Sequence, residues 1–287
     1  MVPANPQYIA SKTATLRNCV LVGLVVFGCL AAGALSHAAG PRLATTSPDS
    51  TQLLVDLGLG PQIAATVQPE VLGEPYRSLP SLGSLYLPNI EKLLATEADE
   101  VVVDESLHQV AFQQALKHLG ISHIGVHITS LESLIRETTK LENALGGQLP
   151  PNLRRCANTL NASTPSPYFS FLLLAWTNPA MGFGQETLLS DILHAFGGEN
   201  LVPRKWNQSY PQLSVEWLLQ HRPNYVFVVT YTDSDVTRAK NDIEKWWPNS
   251  DTKLIALPAK HFSHANFSPL KSLRQLGLAQ IHPGTCP

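Results

Sequence analysis

The chain is poor in charge, in sulfur and in the short motifs that mark common enzyme classes. Only 15% of its 287 residues are Asp, Glu, Lys or Arg, with a net charge of −2. No basic excess argues for nucleic acid as a partner. Four cysteines exclude a disulfide-dense scaffold. No G-x-S-x-G elbow, Walker loop or H-E-x-x-H helix is present. No nucleophile with an activating neighbour can be named, although His261 and Asp233 can be paired on paper as an acid and a base. No internal repeat stands out beyond a loose similarity of two α/β halves.

What is present is a globular composition, 44% hydrophobic with 22 prolines, long enough for one large domain or two lobes. The long apolar run, Cys19 to Leu35, lies at the N terminus after Lys12 and Arg17. Ser36-His37-Ala38 then offers a small-x-small cleavage site, so residues 1–38 read as a signal peptide and the mature chain starts near Ala39. Two alternatives stay open: a retained membrane anchor, and a lipoprotein modified at Cys29 within Val26-Phe27-Gly28-Cys29. Export leaves Cys156 and Cys286 as the mature cysteines. In an oxidising compartment they are expected to form one disulfide, the alternative being two separate buried thiols.

From Leu43 the pattern alternates β and α. Strands are predicted at 43–46, 63–67, 100–104 and 121–128, with helices opening at Ser47-Pro48-Asp49-Ser50, at Asn89 and at Val110. A strand, a helix and a second strand in this order imply a parallel sheet. Helices at 130–145 and 152–160 follow, then a second alternating region: a strand at 169–176, an amphipathic helix at 186–195 stopped by Gly197-Gly198, a helix capped by Ser214, a strand at 225–231, a helix at 237–247 and a strand at 253–257. Residues 259–264 read as a loop, and 270–278 as a closing helix.

The ordered set Gly184-Gln185-Glu186-Thr187, Gly197-Gly198-Glu199-Asn200, Tyr210-Pro211-Gln212-Leu213-Ser214 with Glu216, and Arg222-Pro223 before Tyr225-Val226-Phe227-Val228-Val229 resembles the C-terminal lobe of periplasmic solute-binding proteins of metal-chelate importers. Two blocks of the N-terminal half, Ser47 to Gly60 and Pro88-Asn89-Ile90-Glu91, resemble the same family. The resemblance implies two α/β lobes with mostly parallel sheets: an N-terminal lobe at 41–129, a helical linker at 130–162 that permits small hinge motion, and a C-terminal lobe at 163–287. It implies a monomer that captures a chelate and hands it to an ABC permease dimer with its ATPase subunits, with no chemistry and no resident cofactor. A cobalamin or other corrinoid is the first expected ligand, haem the second and a ferric siderophore the third. Where a cobalamin-binding relative has an N-lobe tyrosine, this chain reads Val67-Gln68-Pro69, so the ligand is not tied to cobalamin. A sensor ectodomain and an enzyme are the readings from other classes.

Ligands in parallel α/β sheets bind beyond the carboxyl ends of the strands. The aromatic residues expected there are Trp176, Trp206, Tyr210, Tyr231 and Phe262, with Tyr86 and Tyr76 as N-lobe counterparts. Tyr210 ranks first. Histidines add a polar set: His108, His261 and His264, with His261 as a candidate axial ligand to a porphyrin or corrin metal. His123 and His127 share a strand face and are more simply packed or solvated. Trp246 and Trp247 belong to packing. Glu91 and Glu216, one near the start of a helix in each lobe, are implied to dock onto arginines of the two permease subunits; without the resemblance they would merely stabilise their own helix starts.

Overall fold

The computed structural model describes residues 40–272, apart from 108 and 165. The predicted N-terminal signal, its cleavage site, Cys29, His108 and Cys286 lie outside the described residues. The described residues from Pro41 onward form one unit with two sheets, the first parallel and the second parallel except for one short antiparallel strand.

The first sheet has the order β2-β1-β3-β4, from β1 (Leu43–Thr45), β2 (Ile63–Thr66), β3 (Glu100–Asp104) and β4 (His123–Val126), all parallel. Helix α1 (Pro48–Asp56) starts where the sequence predicts: Ser47 accepts from the Ser50 amide, and Pro48 occupies the first turn, where its missing N–H costs nothing. Gly58, at φ +77°, ends it. A buried hydroxyl cluster pins α1 to the sheet. Thr51 and Thr45 lie 2.6 Å apart, and Thr66 bonds both at 2.8 Å. The short α2 (Ile90–Leu94) is capped by Asn89, and α3 (Val110–His118) connects β3 to β4.

Helices α4 (Leu131–Leu145) and α5 (Pro151–Asn161) form the link to the second half. Ser130 and Ser133 make a capping box at the start of α4, and Gly146 closes it at φ +80°. Glu142 binds both the Leu149 amide, at 2.7 Å, and the Arg154 guanidinium, which holds the two helices together.

The second sheet runs β6-β5-β8-β9, from β5 (Phe169–Thr177), β6 (Ala180–Gly182), β8 (Tyr225–Thr230) and β9 (Lys253–Pro258). β7 (Gly198–Asn200) adds parallel to the first part of β5, and β6 folds back antiparallel on its last part. The sequence reading missed β6 and β7, each three residues long. It treated Gly197-Gly198 as a stop; Gly197 does turn the chain at φ +82°, but Gly198 already starts a strand. Around the sheet lie α6 (Leu188–Ala195), α7 (Val215–Gln220) and α8 (Asp233–Trp246), the last starting four residues before the predicted Thr237. Thr232 and Asp235 supply its capping box. Residues expected as a loop contain a helical turn, α9 (Ala259–Phe262), and α10 (Ser268–Ser272) follows.

Strand alternation organises the core. On β3, Val102 faces one way while Val101 and Val103 face the other. On β5, Phe171 and Leu173 oppose Leu172 and Leu174; on β8, Phe227 and Val229 oppose Val226 and Val228. The faces carrying Val102 in the first sheet and Phe171, Leu173, Phe227 and Val229 in the second join α1, α4, α5, Phe267 and Leu270 in one continuous cluster, while the other faces build separate clusters, one per half. Both sheets are therefore covered on both sides, as parallel sheets require, and the halves share an apolar centre.

Candidate functional site

Strand order locates the cleft. In the first sheet the chain steps outward from β1 to β2, then returns to add β3 on the other side, so the switch point lies between β1 and β3. In the second sheet it lies between β5 and β8. Crevices beyond the carboxyl ends at such points are where doubly wound sheets bind ligands.

Beyond β1 and β3 the residues are Thr46, Ser47, Asp49, Asp104 and Ser106. The Asp104 amide donates to the Thr46 hydroxyl at 3.0 Å, and Asp104 Oδ1 accepts from the Ser106 hydroxyl at 2.6 Å and its amide at 3.1 Å. Burial pushes the Asp104 carboxyl above the usual aspartate range; the hydroxyls of Ser106 and Ser47 oppose this, and the charge of Asp49 adds to it. Gln109 ties the loop before α2 to the same place, its side-chain amide donating to the carbonyls of Thr46 and Leu85. That anchors Tyr86, which is 72% exposed.

From the second half, Trp176 ends β5 and Tyr231 follows β8, both exposed. Tyr210 reaches the same region on a loop clamped to β6: Gly182 donates to the Pro211 carbonyl at 2.9 Å and Gly184 to the Ser209 carbonyl at 2.8 Å. Its ring meets Phe183 edge-on, with centroids 5.2 Å apart. Although 57% of Tyr210 is exposed, its hydroxyl is held above its ordinary value by desolvation and by the charges of Asp49 and Asp104. The Tyr210 hydroxyl of one half thus lies within electrostatic range of the carboxylates of the other.

The two halves meet at Asp49. Its carboxylate faces His264 Nδ1 at 2.7 Å and accepts from the Ala265 amide at 3.0 Å. Asp49, Ser50, Leu53, Asp104, Ser106, Val126, Ile128 and Ala265 line a small pocket of about 10 Å³, room for little more than one water. Sites for drug-sized ligands span about 300–1,000 Å³, so this pocket cannot enclose a ligand of that size. His261, close to His264, is held below the ordinary imidazole value by burial and by the neighbouring Lys260 and His264.

The structure therefore brings Tyr86, Trp176, Tyr210, Tyr231, His261 and His264 to strand ends or to loops beside them. Other candidates fall elsewhere. Phe262 is 2% exposed in the shared core, so its ring supports His261 instead of meeting a ligand. Trp206 packs on Trp217 at 5.4 Å, in the outer cluster of the second half. Tyr76 packs against Gly60, where a Cβ would lie 2.1 Å from the tyrosine hydroxyl. His123 and His127 stand at opposite ends of β4, and among the described residues no group of three His, Cys, Asp or Glu could hold a metal ion. Asp49, Asp104 and Ser106 were missed as site residues, because Ser47-Pro48-Asp49-Ser50 reads locally as nothing more than a helix start. The available signal was topological: an acid just beyond the first strand of a doubly wound sheet.

Glu91 and Glu216 are exposed on α2 and α7. Their settings match position for position. Asn89-Ile90-Glu91-Lys92-Leu93-Leu94 and Ser214-Val215-Glu216-Trp217-Leu218-Leu219 both run cap, apolar residue, Glu, variable residue, Leu, Leu. In each, the cap side chain accepts from the amide three residues on, at 2.8 Å for Lys92 and 3.2 Å for Trp217. Leu93 and Leu218 are buried, whereas Leu94 and Leu219 are more than half exposed. Bonds from its own amide and from Ser214 hold the Glu216 carboxyl below its ordinary value, and so ionised.

No protein-family model matches the chain. Among characterised relatives it is 27% identical over 247 residues to a vitamin B12-binding protein of Yersinia pestis, spanning 83% of this chain and 85% of that one. Among solved structures it is similar to the periplasmic vitamin B12-binding protein of Vibrio cholerae, with TM-score 0.64, 17% identity and coverage of 85% and 99%. It is also similar to a periplasmic haem-binding protein of Pseudomonas aeruginosa, with TM-score 0.65, 21% identity and coverage of 86% and 95%. These are binding proteins, not enzymes, and the chain has their fold: the two-lobed α/β architecture of the periplasmic metal-chelate-binding proteins.

Proposed function

We propose that this chain is the substrate-binding component of an ABC importer, capturing a metal chelate and delivering it to a permease, with a corrinoid as the first ligand. The observation that carries the reading is that the two halves meet at Asp49 and His264, with exposed Tyr210 within electrostatic range of Asp49 and Asp104 and with Trp176, Tyr231 and Tyr86 at strand ends and loops. Exposed aromatic faces suit a flat, largely apolar macrocycle. Two carboxylates suit the amide donors of a corrinoid periphery better than an anionic siderophore. A second reading, haem, is favoured by His261, an imidazole on the helical turn that follows the last strand of the second sheet.

The matched settings of Glu91 and Glu216 support docking to a permease with two-fold symmetry. Each presents a carboxylate next to an exposed leucine, one per half, as two related pockets would require. Export fits the N-terminal sequence: cleavage after Ala38 gives a periplasmic protein, and lipidation at Cys29 is the alternative. Cys156, fully buried on α5, is proposed to pair with Cys286.

The experiment is direct. Purified mature protein is titrated separately with cyanocobalamin, haemin and a ferric siderophore, following tryptophan quenching and ligand absorbance. Saturable one-to-one binding of cyanocobalamin, tighter than the other two, is expected. Tighter haemin binding selects the second reading, and no binding of any chelate overturns both.

A further inference from the structure

A second cavity, of about 390 Å³, shares no lining residue with the pocket at Asp49. Its volume falls in the range of small-molecule sites, about 300–1,000 Å³. It lies on the flank of the first sheet, between α2 and the edge strand β2. The floor is apolar, built from Ala64 of β2, Ala95 at the end of α2, and Pro80 and Leu82 of the segment that bridges to Thr66. The spacing of α2 explains its share: Leu93 turns into the core, while Lys92, Ala95 and Thr96, three and four residues apart, fall together on the cavity side.

The charge of the cavity has one sign. Arg42 and Lys92 both line it, and none of its lining residues is acidic. Arg42 is held in place, because its Nε and Nη2 donate to the Thr96 carbonyl at 3.2 and 3.0 Å. The opposite edge of the guanidinium, Nη1 with the second Nη2 hydrogen, is left as a planar fork that fits two oxygens of a carboxylate or phosphate. Asp99 takes the backbone amide of Arg42, at 2.8 Å, and not its side chain. Lys92 has no carboxylate partner among the described residues. Ser81 Oγ accepts from the Gly83 amide at 3.2 Å, which leaves its hydroxyl proton to donate.

The feature is one-sided. At the position of α7 that matches Lys92 stands Trp217, stacked on His221 with centroids 4.2 Å apart and packed on Trp206 at 5.4 Å. A permease with two-fold symmetry would call for the same contact in both halves, which favours a small ligand over a partner's acidic side chain. We propose that this cavity is a second binding site, for a small organic anion whose carboxylate or phosphate meets Arg42 and Lys92 and whose apolar body lies on Ala64, Pro80, Leu82 and Ala95. It goes beyond chelate capture and does not depend on it.

The test is calorimetric titration of the full mature protein with hexyl phosphate, hexanoate, inorganic phosphate and hexyltrimethylammonium. Both hexyl anions should bind one to one. Inorganic phosphate should bind about tenfold or more weakly, for want of buried methylenes, and the hexyl cation should not bind. Lys92→Gln should weaken hexyl phosphate by about tenfold or more through the loss of a charged hydrogen bond. Ala95→Phe, which fills the floor and keeps both cations, should abolish its binding. Lys117→Gln, a charge removed from α3 outside the cavity, should bind like wild type. Lys92, Ala95 and Lys117 are all exposed, and circular dichroism checks that each variant is folded. The proposal is overturned if neither hexyl anion binds wild type, if inorganic phosphate binds as tightly as hexyl phosphate, or if folded Lys92→Gln and Ala95→Phe both bind like wild type. Loss of uptake in these two variants, with no probe bound by wild type, also overturns it and assigns the cavity to a permease contact.

Discussion

At Gly184 the backbone leaves no room for a side chain: an added Cβ would lie 2.0 Å from the Gln208 carbonyl oxygen. The glycine lets the loop carrying Tyr210 close onto β6 through the Gly184–Ser209 bond. Gly184→Ala should cost about 1–3 kcal/mol, the range for forced overpacking, and should weaken chelate binding because Tyr210 moves with its loop; an unchanged urea midpoint would show that the loop is not held this way. Asp104 makes the opposite kind of prediction. Its folded pKa is raised, chiefly by burial, so the folded state binds its proton more tightly than the unfolded chain. The cost is absent below the unfolded value, grows as pH rises from the unfolded to the folded value, and is fully present above the folded one. Asp104→Asn should therefore stabilise the protein at pH 7, with a gain that shrinks as pH falls toward 4. Urea midpoints of both proteins at the two pH values measure it, and a gain that persists in acid contradicts the burial argument. None of this was legible at the residue level, because a Gly in a G-F-G run and an Asp at a strand end look ordinary until the chain folds other segments against them.

Helices α2 and α7 are where local sequence and the proposed docking role coincide most closely. Both caps, Asn89 and Ser214, were readable from the chain alone, since a short polar residue before an apolar repeat has a local job that tertiary packing does not alter. β1, β3, β5, β8 and β9 were readable for a similar reason, being continuous apolar runs in sheets covered on both faces. β6 and β7 were not, because three residues are too few to carry a period and their pairing is set by β5. Phe262 and Trp206 were misplaced because an aromatic near a strand end gives no hint of whether its ring turns inward. For the two glutamates, a charge-assisted pair with a permease arginine loses about 2–5 kcal/mol when one partner is removed. Glu91→Ala and Glu216→Ala should each depress uptake in a reconstituted importer without altering chelate affinity, and the double variant should nearly abolish uptake. Leu94→Ser and Leu219→Ser should add to the loss if the exposed leucines share the contact. Full uptake by the double glutamate variant would return both residues to the role of stabilising their own helices.

Across the whole molecule, the two halves share one apolar core and are tied by several polar contacts, so they are expected to unfold together. The Leu131 amide, at the start of α4, donates to Asp191 on α6 at 2.7 Å. Asp56, nearly buried on α1, pairs with Lys271 on α10 and also accepts from Gln52. Phe267 and Leu270, which precede Lys271, are fully buried in the cluster that contains Leu53 and Leu54 of α1. Separating the halves would expose this cluster and strand the Asp56 charge, which makes a state with one half folded unfavourable and favours a two-state transition. The chain carries its own test. Its five tryptophans, Trp176, Trp206, Trp217, Trp246 and Trp247, all belong to the second half, so their fluorescence reports that half alone, while far-ultraviolet circular dichroism reports the helices of both. The two probes should give superimposable urea transitions. Lys271→Met should lower the common midpoint by the loss of a hydrogen bond to a charged group, about 1.5–3 kcal/mol, without separating the curves. If instead the circular dichroism transition began well before the fluorescence transition, the first half would be opening on its own. The cleft at Asp49 would then be a contact between independently stable bodies rather than one edge of a common core.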